Sequence, residues 1–149
     1  MTQQRKPLVG YVPGGFDLFH IGHLNILRAA RIRCDVLVAG VATDDSLIRM
    51  KGRAPIIPFE ERMEIVGALA IVDEVVPDID QDKRIAWSRR KFDVLFKGTD
   101  WRGTPKGDAL EREMAELGAR VHYLPYTQTT SSSQIREFVS PGSQVLLPA

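Results

Sequence analysis

The chain has 149 residues, of which 44% are hydrophobic and 26% are charged, and this composition fits one globular domain with a single core. Twenty lysines and arginines offset nineteen aspartates and glutamates, so the net charge of +1 excludes a general electrostatic attraction to nucleic acid or to a membrane surface. A single cysteine excludes an internal disulfide, and no stretch holds the roughly 20 apolar residues of a membrane span. We therefore expect one cytoplasmic domain over 1–149, with a core at about 7–139 and a tail at 140–149.

The first part of the chain alternates between short apolar runs and one amphipathic segment. Residues 8–12 predict a strand that ends in Pro13-Gly14-Gly15, and apolar residues at helical spacing over about 20–33 predict a helix. The apolar run 35–42 is continuous and rich in β-branched residues, which is typical of a strand covered on both faces. These segments predict a strand, a helix and a central parallel strand.

The rest of the chain continues this alternation. The sequence predicts a helix that begins near Pro58, a strand at 72–76 closed by Pro77, a charged helix at 83–90, a strand at 94–96, a helix at 109–117, a strand at 121–124 and a last helix at 131–139. Such alternation is the signature of a parallel sheet with helices on both faces, in which ligands bind beyond the carboxyl ends of the strands. We therefore predict an α/β fold, a Rossmann-like doubly wound sheet of about five parallel strands.

The turn after the first predicted strand carries the strongest local signal for a binding site. Gly14 and Gly15 permit close approach of the backbone, and His20 and His23 lie three residues apart at the start of the next helix. A helix N-terminus presents free N–H groups and a positive dipole, so the turn, the helix start and the imidazoles together predict a triphosphate site. We expect Gly22 to leave room for the ligand between the two histidines.

The same two histidines have other interpretations. They could form a zinc pair, or they could be surface residues of an amphipathic helix. The remaining histidine, His122, lies far along the sequence, and Cys34 stands in no spacing typical of a closed zinc site. We therefore predict no protein-held metal here.

With these residues in view, the sequence resembles the cytidylyltransferases of the H-x-G-H nucleotidyltransferase superfamily, with most similarity to the glycerol-3-phosphate cytidylyltransferases. The resemblance extends from about 9 to 139. Four blocks carry it in the expected order: GFDLFHIGH at 15–23, TDD at 43–45, PFEERM at 58–63 and KGTDW at 97–101.

The resemblance implies that a substrate phosphate attacks the α-phosphorus of a nucleotide and releases pyrophosphate, without a covalent enzyme intermediate. Catalysis of this kind depends on positioning and on charge stabilisation. By the same resemblance Gly14, Gly15 and Phe16 would surround the nucleotide, and His20 and His23 would contact its phosphates. Lys51 would neutralise the reacting phosphate, although it could also be a solvated loop lysine. Mg²⁺ would be carried by the triphosphate.

Four further residues are candidates for substrate or base contacts. Asp44 follows the second predicted strand and would bind substrate, or it could cap a helix. Arg62 would reach the cleft from its helix, with a surface ion pair to a nearby glutamate as the alternative. The resemblance assigns Asp100 to recognition of the base and Trp101 to the substrate pocket, although Trp101 could also close the core.

The last signature of the family is present only in part, at 126–133. Hydroxyl groups at a helix start remain there, so Thr127, Ser131, Ser132 and Ser133 are expected to bind phosphate. Tyr126 and Ala70 stand where the family has arginine. These two departures remove positive charge from the expected nucleotide site and leave the choice between CTP and ATP open.

The sequence thus predicts an enzyme that joins CTP to a phosphorylated small alcohol, with glycerol 3-phosphate as the expected acceptor, and forms a CDP-alcohol and pyrophosphate. One alternative is an ATP-dependent adenylyltransferase that acts on a sugar phosphate such as a heptose phosphate. Another is a nucleotide-binding module without turnover. The resemblance also implies a homodimer, and we expect neither nucleic acid nor a membrane as a partner.

Overall fold

Five parallel strands form the central sheet of the computed structural model, which describes residues 4–125 and 129–140. In chain order the strands are β1 (Val9–Gly14), β2 (Val36–Ala42), β3 (Glu74–Asp78), β4 (Val94–Gly98) and β5 (Arg120–Leu124). Their spatial order is β3-β2-β1-β4-β5, and every neighbouring pair is parallel. The predicted doubly wound sheet is confirmed.

Helices connect the strands and cover both faces of the sheet. They are α1 (Ile21–Arg31), α2 (Asp44–Lys51), α3 (Phe59–Gly67), α4 (Lys83–Arg89), α5 (Pro105–Glu116) and α6 (Ser132–Val139), with a short 3-10 turn at Thr99–Trp101. No helix within the described ranges is long and apolar enough to cross a membrane.

Alternate residues of the strands supply two separate cores, one on each face of the sheet. On β2, Leu37, Ala39 and Val41 face the core that contains Leu27 of α1 and Val66 of α3. Val38 faces the opposite core, where α4 and α5 pack through Ala86, Leu110 and Met114. The continuous apolar run of β2 follows from this arrangement, since a strand with helices on both faces exposes neither side.

Three elements differ from the sequence prediction. Strand β3 runs through Pro77 rather than stopping before it, because β3 lies at the edge of the sheet, where a residue without an N–H is tolerated. Helix α5 starts four residues earlier than predicted, capped by Thr104 with Pro105 in its first turn. Helix α2 was not predicted, although Thr43 caps its start and Gly52, with φ of 73°, ends it.

The strand order places a cleft at the carboxyl edge of the sheet. Strand β1 lies between β2 and β4, and the chain leaves β1 for one neighbour and reaches the other only later. Open α/β sheets bind their ligands at such a reversal of strand order. The turn that follows Gly14 therefore lies where the fold concentrates binding residues.

Candidate active site

The turn between β1 and α1 holds two residues in a left-handed backbone conformation. Phe16 has φ of 54° and Leu18 has φ of 55°. Non-glycine residues persist there only when the surrounding structure holds them, at a cost of about 1–3 kcal/mol each. Packing of the buried Phe16 ring stabilises this turn, because the ring centroid lies 6.4 Å from that of Phe19 and 5.5 Å from that of His23.

His20 and His23 are locked together at the start of α1 by reciprocal hydrogen bonds. His20 is the N-cap residue, and its Nδ1 accepts the N–H of Gly22 at 3.0 Å. The Nδ1 of His23 accepts the backbone N–H of His20 at 3.2 Å. The ring centroids lie 3.9 Å apart. Because each Nδ1 accepts, each imidazole carries its proton on Nε2.

Gly22 makes room for an imidazole of the protein itself. A Cβ at this position would lie 2.8 Å from Cε1 and 3.0 Å from Nδ1 of His20. This contact corrects the expectation that Gly22 leaves space for a ligand between the histidines. The glycine is needed so that the His20 ring can fold back over the helix start.

Both imidazoles are held in the neutral form. Burial, with a smaller contribution from the neighbouring His20, lowers the pKa of His23 to about 3. Burial also lowers the pKa of His20 below its ordinary value. At neutral pH the pair therefore offers Nε2–H donors rather than two full positive charges.

Ser132, the first residue of α6, connects this last helix to the histidines. The Ser132 hydroxyl donates to the backbone oxygen of Asp17 at 2.6 Å. Its oxygen lies 3.2 Å from Nε2 of His20, which donates to it in the tautomer set by Gly22. The N-terminus of α6 is thus fixed beside the imidazole pair.

Asp17 holds two segments against the turn. Its carboxylate accepts the N–H groups of Ile56 and Ile57 at 2.9 and 2.8 Å, and the guanidinium of Arg136 donates to it at 2.6 Å. Asp17 is only 6% exposed. The loop before α3 and the helix α6 are therefore both anchored on one buried carboxylate.

A small cationic pocket opens beside this anchor. Lys51 lines it, and the pKa of Lys51 is lowered by burial and by the nearby charges of Arg53 and Arg136. We call this the small pocket; its lining residues are Gly15, Phe16, Asp17, Leu47, Lys51, Arg53, Pro55, Ser132, Ser133 and Arg136. Because Asp17 is paired with Arg136, Lys51 and Arg53 leave this lining with an excess of positive charge, which suits an anion with several negative charges.

Arg62 does not reach this pocket, which corrects its assignment as a substrate-binding residue. Its side chain is fully buried, and its guanidinium donates to the carbonyls of Ile57, Gly15 and Ala42 at 2.6–2.8 Å. The remaining bond goes to Asp44 at 2.7 Å. The alternative of a surface pair with a glutamate is also wrong. Arg62 ties the ends of β1 and β2 to α3, so it supports the site from beneath.

A larger cleft of about 610 Å³ adjoins the small pocket and shares Gly15, Leu47 and Lys51 with it. This volume lies within the range of small-molecule sites. We call this the large cleft; the chain also lines it with Pro13, Gly14, Ala42, Met50, Asp78, Gln81, Lys83, Lys97, Asp100, Trp101, Lys106, Ala109, Leu110 and Glu113.

A buried polar network forms one wall of the large cleft. The Tyr11 hydroxyl donates to Asp78 at 2.5 Å, and Lys83 donates to the other carboxylate oxygen at 2.7 Å. Lys83 also donates to the backbone oxygen of Asp80 at 2.8 Å. Burial and the charge of Asp78 raise the pKa of Tyr11. The Asp78 carboxylate therefore has its partners within the protein.

The structure brings most of the predicted site residues to these two cavities. Those that line the small pocket, the large cleft or both are Gly14, Gly15, Phe16, Lys51, Asp100, Trp101, Ser132 and Ser133. His20 and His23 lie beside the small pocket, joined to it through Ser132. The Ser131 hydroxyl instead caps α6 by accepting the N–H of Gln134. Thr127 and Tyr126 lie outside the described residues.

Asp44 and Ala70 lie away from both cavities. Asp44 is the first residue of α2, whose cap is Thr43, and its carboxylate faces Arg62. It is therefore neither the cap nor a lining residue of either cavity. Ala70 is exposed and lines neither cavity.

Within the described ranges, eight charged residues that line the two cavities were not predicted as site residues: Asp17, Arg53, Asp78, Lys83, Lys97, Lys106, Glu113 and Arg136. Lys97 had a sequence signal, since it lies at the end of a predicted strand, as ligand-binding residues of this fold do. Arg136 had none, because its partner Asp17 is 119 positions away and no local pattern connects them.

The geometry can now be compared with known proteins. The family model described as cytidylyltransferase-like matches residues 11–138. This chain belongs to the cytidylyltransferase-like family. The match begins in β1 and ends in α6, so it includes both cavities and the paired histidines.

Curated relatives include proteins with two different names. The chain is 37% identical over 141 residues to an ethanolamine-phosphate cytidylyltransferase of Arabidopsis thaliana, with 91% of this chain and 33% of the relative covered. It is 42% identical over 95 residues to the bifunctional protein HldE of Granulibacter bethesdensis, with 63% and 20% covered. The HldE of Acidiphilium cryptum is 37% identical over 134 residues, with 87% and 27% covered. The chain thus spans a third or less of the length of these relatives.

Two known structures share the fold. A lipopolysaccharide core biosynthesis protein from Thermoplasma volcanium superposes with a TM-score of 0.69 at 23% identity, covering 84% of this chain and all of that one. A pantoate-beta-alanine ligase from Francisella tularensis superposes with a TM-score of 0.61 at 13% identity, covering 86% of this chain and 62% of that one. At these identities the likeness concerns the fold alone.

Proposed function

We propose that this domain transfers a cytidylyl group from CTP to a phosphorylated small alcohol, with glycerol 3-phosphate as the expected acceptor, and releases pyrophosphate. The observation that carries the proposal is the pair of neutral imidazoles fixed beside a cationic pocket that opens into the large cleft. Membership of the cytidylyltransferase-like family supports it.

The small pocket suits the phosphates of the nucleotide. Lys51, Arg53 and Arg136 supply positive charge, and the N-terminus of α6 supplies backbone N–H groups. The same lining repels a bare cation, so Mg²⁺ enters the proposal as part of the nucleotide complex, where it screens charge on the phosphates. Among residues 4–125 and 129–140, no three histidine, cysteine or carboxylate side chains converge to form a metal site.

The junction between the small pocket and the large cleft is the proposed place of reaction. With the β- and γ-phosphates in the small pocket, the α-phosphorus lies near Lys51, which lines both cavities. An acceptor phosphate that enters from the large cleft forms a new P–O bond there. The bond between the α-phosphorus and the bridging oxygen breaks, and pyrophosphate leaves with both electrons of that bond.

The side chains act by position and by charge. When substrate binds, the Nε2–H of His20 exchanges the Ser132 oxygen for a phosphate oxygen. The Nε2–H of His23 donates to a second phosphate oxygen as negative charge builds in the transition state, and Lys51 neutralises the two reacting phosphates. Preorganised donors of this kind contribute about 3–4 kcal/mol each to transition-state stabilisation. The buried hydrogen bonds of both rings fix their direction before substrate arrives.

An ATP-dependent transfer to a sugar phosphate such as a heptose phosphate is the second candidate. Similarity to the HldE proteins supports it. The surroundings of Lys51-Gly52 and Arg62-Met63 also resemble those of heptose-phosphate adenylyltransferases. Both candidates use the same cavities, so they differ in the base that is bound and in the acceptor.

Pyrophosphate release with Mg²⁺ and either CTP or ATP tests the proposal, with glycerol 3-phosphate and a heptose phosphate offered as acceptors in separate reactions. We expect release with CTP and glycerol 3-phosphate, and a CDP-alcohol detected by mass spectrometry. Release with ATP alone would favour the second candidate. Nucleotide binding without release under any combination would contradict both and favour a non-catalytic nucleotide-binding module.

Two variants connect the activity to the site. His20→Ala and Lys51→Met should each lower turnover at least about 100-fold, because each removes a donor to the reacting phosphates. Lys91→Met is the matched control, since Lys91 packs on Trp87, and neither residue lines the two cavities. Unchanged turnover in both site variants would show that the reaction occurs elsewhere.

A further inference from the structure

The aromatic face in the large cleft is already occupied by cations of the protein. The Nζ of Lys97 lies 4.0 Å from the centroid of the Trp101 ring, and the Nζ of Lys106 lies 5.9 Å from it. A tryptophan face is the preferred place for a ligand ammonium group. Here two lysines of the same cleft take that place.

The carboxylates that could attract an ammonium group are few in the interior of the cleft. Asp78 is buried, and its two oxygens are bound by Tyr11 and Lys83. Asp100 is exposed and Glu113 is partly exposed, so both lie nearer to solvent. The cleft lining within the described residues contains four lysines and three acids, and the pairing of Lys83 with Asp78 leaves three lysines against two acids.

Lys97 is a deeply placed cation of the large cleft. Burial, with a smaller contribution from the charge of Lys83, lowers its pKa to about 8. Asp100 and Asp78 act in the opposite direction, and Lys51 adds repulsion. A second cation brought into this space would meet the same desolvation and the same like charges.

We propose that Lys97, with Lys106, makes the large cleft select phosphorylated acceptors whose alcohol portion is an uncharged polyol or sugar, and makes it reject acceptors that carry an ammonium group. The hydroxyl groups of a polyol accept hydrogen bonds from lysine, whereas an ammonium group is repelled. This inference rests on the proposed function, because it concerns the acceptor of the same site. The name of the Arabidopsis relative contains an ammonium-bearing acceptor, so the inference separates this chain from that protein.

The test compares kcat/KM for pyrophosphate release with four acceptors, each with the preferred nucleotide and Mg²⁺. Glycerol 3-phosphate and a heptose phosphate have uncharged alcohol portions, and phosphoethanolamine and phosphocholine carry ammonium groups. We expect kcat/KM for the better uncharged acceptor to exceed kcat/KM for either cationic acceptor at least about 100-fold. Repulsion between like charges a few ångströms apart produces differences of this size.

Two variants of Lys97 test whether its charge causes the discrimination between uncharged and ammonium-bearing acceptors. Lys97→Met keeps the length and the packing of the side chain. It should reduce the ratio of kcat/KM between the uncharged acceptor and phosphocholine at least about 10-fold, through a higher kcat/KM with phosphocholine. Lys97→Arg keeps the charge and should keep the gap. Lys91→Met is again the matched control, because it removes a lysine from a tryptophan face outside both cavities. The urea midpoint of each variant shows that the fold is retained.

A pH series gives an independent readout. Phosphocholine has a fixed positive charge, so its own amine does not titrate. Between pH 7 and pH 9 Lys97 loses its proton, and the gap between the uncharged acceptor and phosphocholine should narrow in the wild type but stay constant in Lys97→Met.

The failures can be told apart. Equal kcat/KM for phosphoethanolamine and the uncharged acceptors would overturn the inference while the proposed function stands. A gap that Lys97→Met leaves unchanged would overturn the role of Lys97. Absence of pyrophosphate release with all four acceptors and both nucleotides would overturn the proposed function and, with it, this inference.

Discussion

Arg136 in the last helix and Asp17 in the first turn are 119 positions apart in sequence and are joined by an ion pair of 2.6 Å. Both side chains are largely buried, and the pair closes one side of the small pocket. Buried pairs of this kind are strongly destabilising when one partner is lost, since the other charge stays behind without compensation.

Arg136→Gln should lower the free energy of unfolding by about 2–4 kcal/mol and weaken nucleotide binding. Asp17 keeps its bonds to Ile56 and Ile57, so the loop before α3 should stay in place while α6 loosens. Urea denaturation and isothermal titration with the nucleotide would measure the two effects. Arg90→Gln, which breaks the exposed pair with Glu74, is the control and should change neither.

Arg62→Met should act mainly by lowering the free energy of unfolding. The substitution leaves the carbonyls of Gly15, Ala42 and Ile57 without their donor, and we expect a loss of about 3 kcal/mol or more. Urea denaturation gives the value. Arg84→Met removes an exposed pair with Asp82 and should leave the unfolding midpoint unchanged. Equal midpoints for the two variants would contradict the supporting role of Arg62.

The lowered pKa of His23 predicts a specific pH dependence of the free energy of unfolding. Its pKa is about 3 in the folded protein and 6.5 ordinarily, so below pH 6.5 the unfolded chain binds a proton that the folded chain excludes. Stability contributed by this group is therefore complete above pH 6.5 and is lost as the pH falls toward 3, on the order of 1 kcal/mol per pH unit. His20 and Lys51 oppose protonation of the ring, and Asp17 favours it.

His23→Asn isolates this contribution. Its amide oxygen can replace Nδ1 as acceptor for the His20 N–H, but it does not titrate. The difference in unfolding free energy between wild type and variant, measured in urea from pH 7 to pH 4, should shift in favour of the variant as the pH falls. A constant difference would show that His23 is not held neutral.

Gly22→Ala should reduce turnover about 10- to 100-fold while the fold persists. The new methyl group would overlap Cε1 of His20 at 2.8 Å, so the ring must move away from its N-cap position. Small displacements of a positioned group produce losses of this size. Gly118→Asn is the control, since Gly118 has φ of 78° at the end of α5, with no atom near its Cβ position. Steady-state kinetics and the urea midpoint of both variants decide the matter.

Local sequence patterns were sufficient to predict the sheet and every described helix except α2, because alternating apolar runs and turn residues are local signals. They predicted β1, β2 and α1 within two residues, and they predicted the turn that carries His20 and His23. Pro77 was taken as a strand end because the edge position of β3 depends on the order of all strands, which no single segment determines.

The site was predictable where function follows position along a strand and less so where it depends on burial. Trp101 lies just after β4 and lines the large cleft. Lys51 lines both cavities from the end of α2, the helix that the sequence patterns did not predict. Arg62 was misassigned because an arginine that directly follows Glu60 and Glu61 is usually exposed, and only the folded chain brings three carbonyls to its guanidinium. Long-range pairs such as Asp17 with Arg136 leave no periodicity to detect.

The position of α6 has a consequence for synthesis of the protein. Ser132 and Arg136 leave the ribosome after all five strands, yet they complete the small pocket beside the first turn of the chain. The sheet and both cores can assemble on a nascent chain that still lacks this wall. Under the proposed function, nucleotide binding begins only after α6 has emerged and docked, so the nucleotide stabilises chains that include α6 and does not stabilise shorter ones.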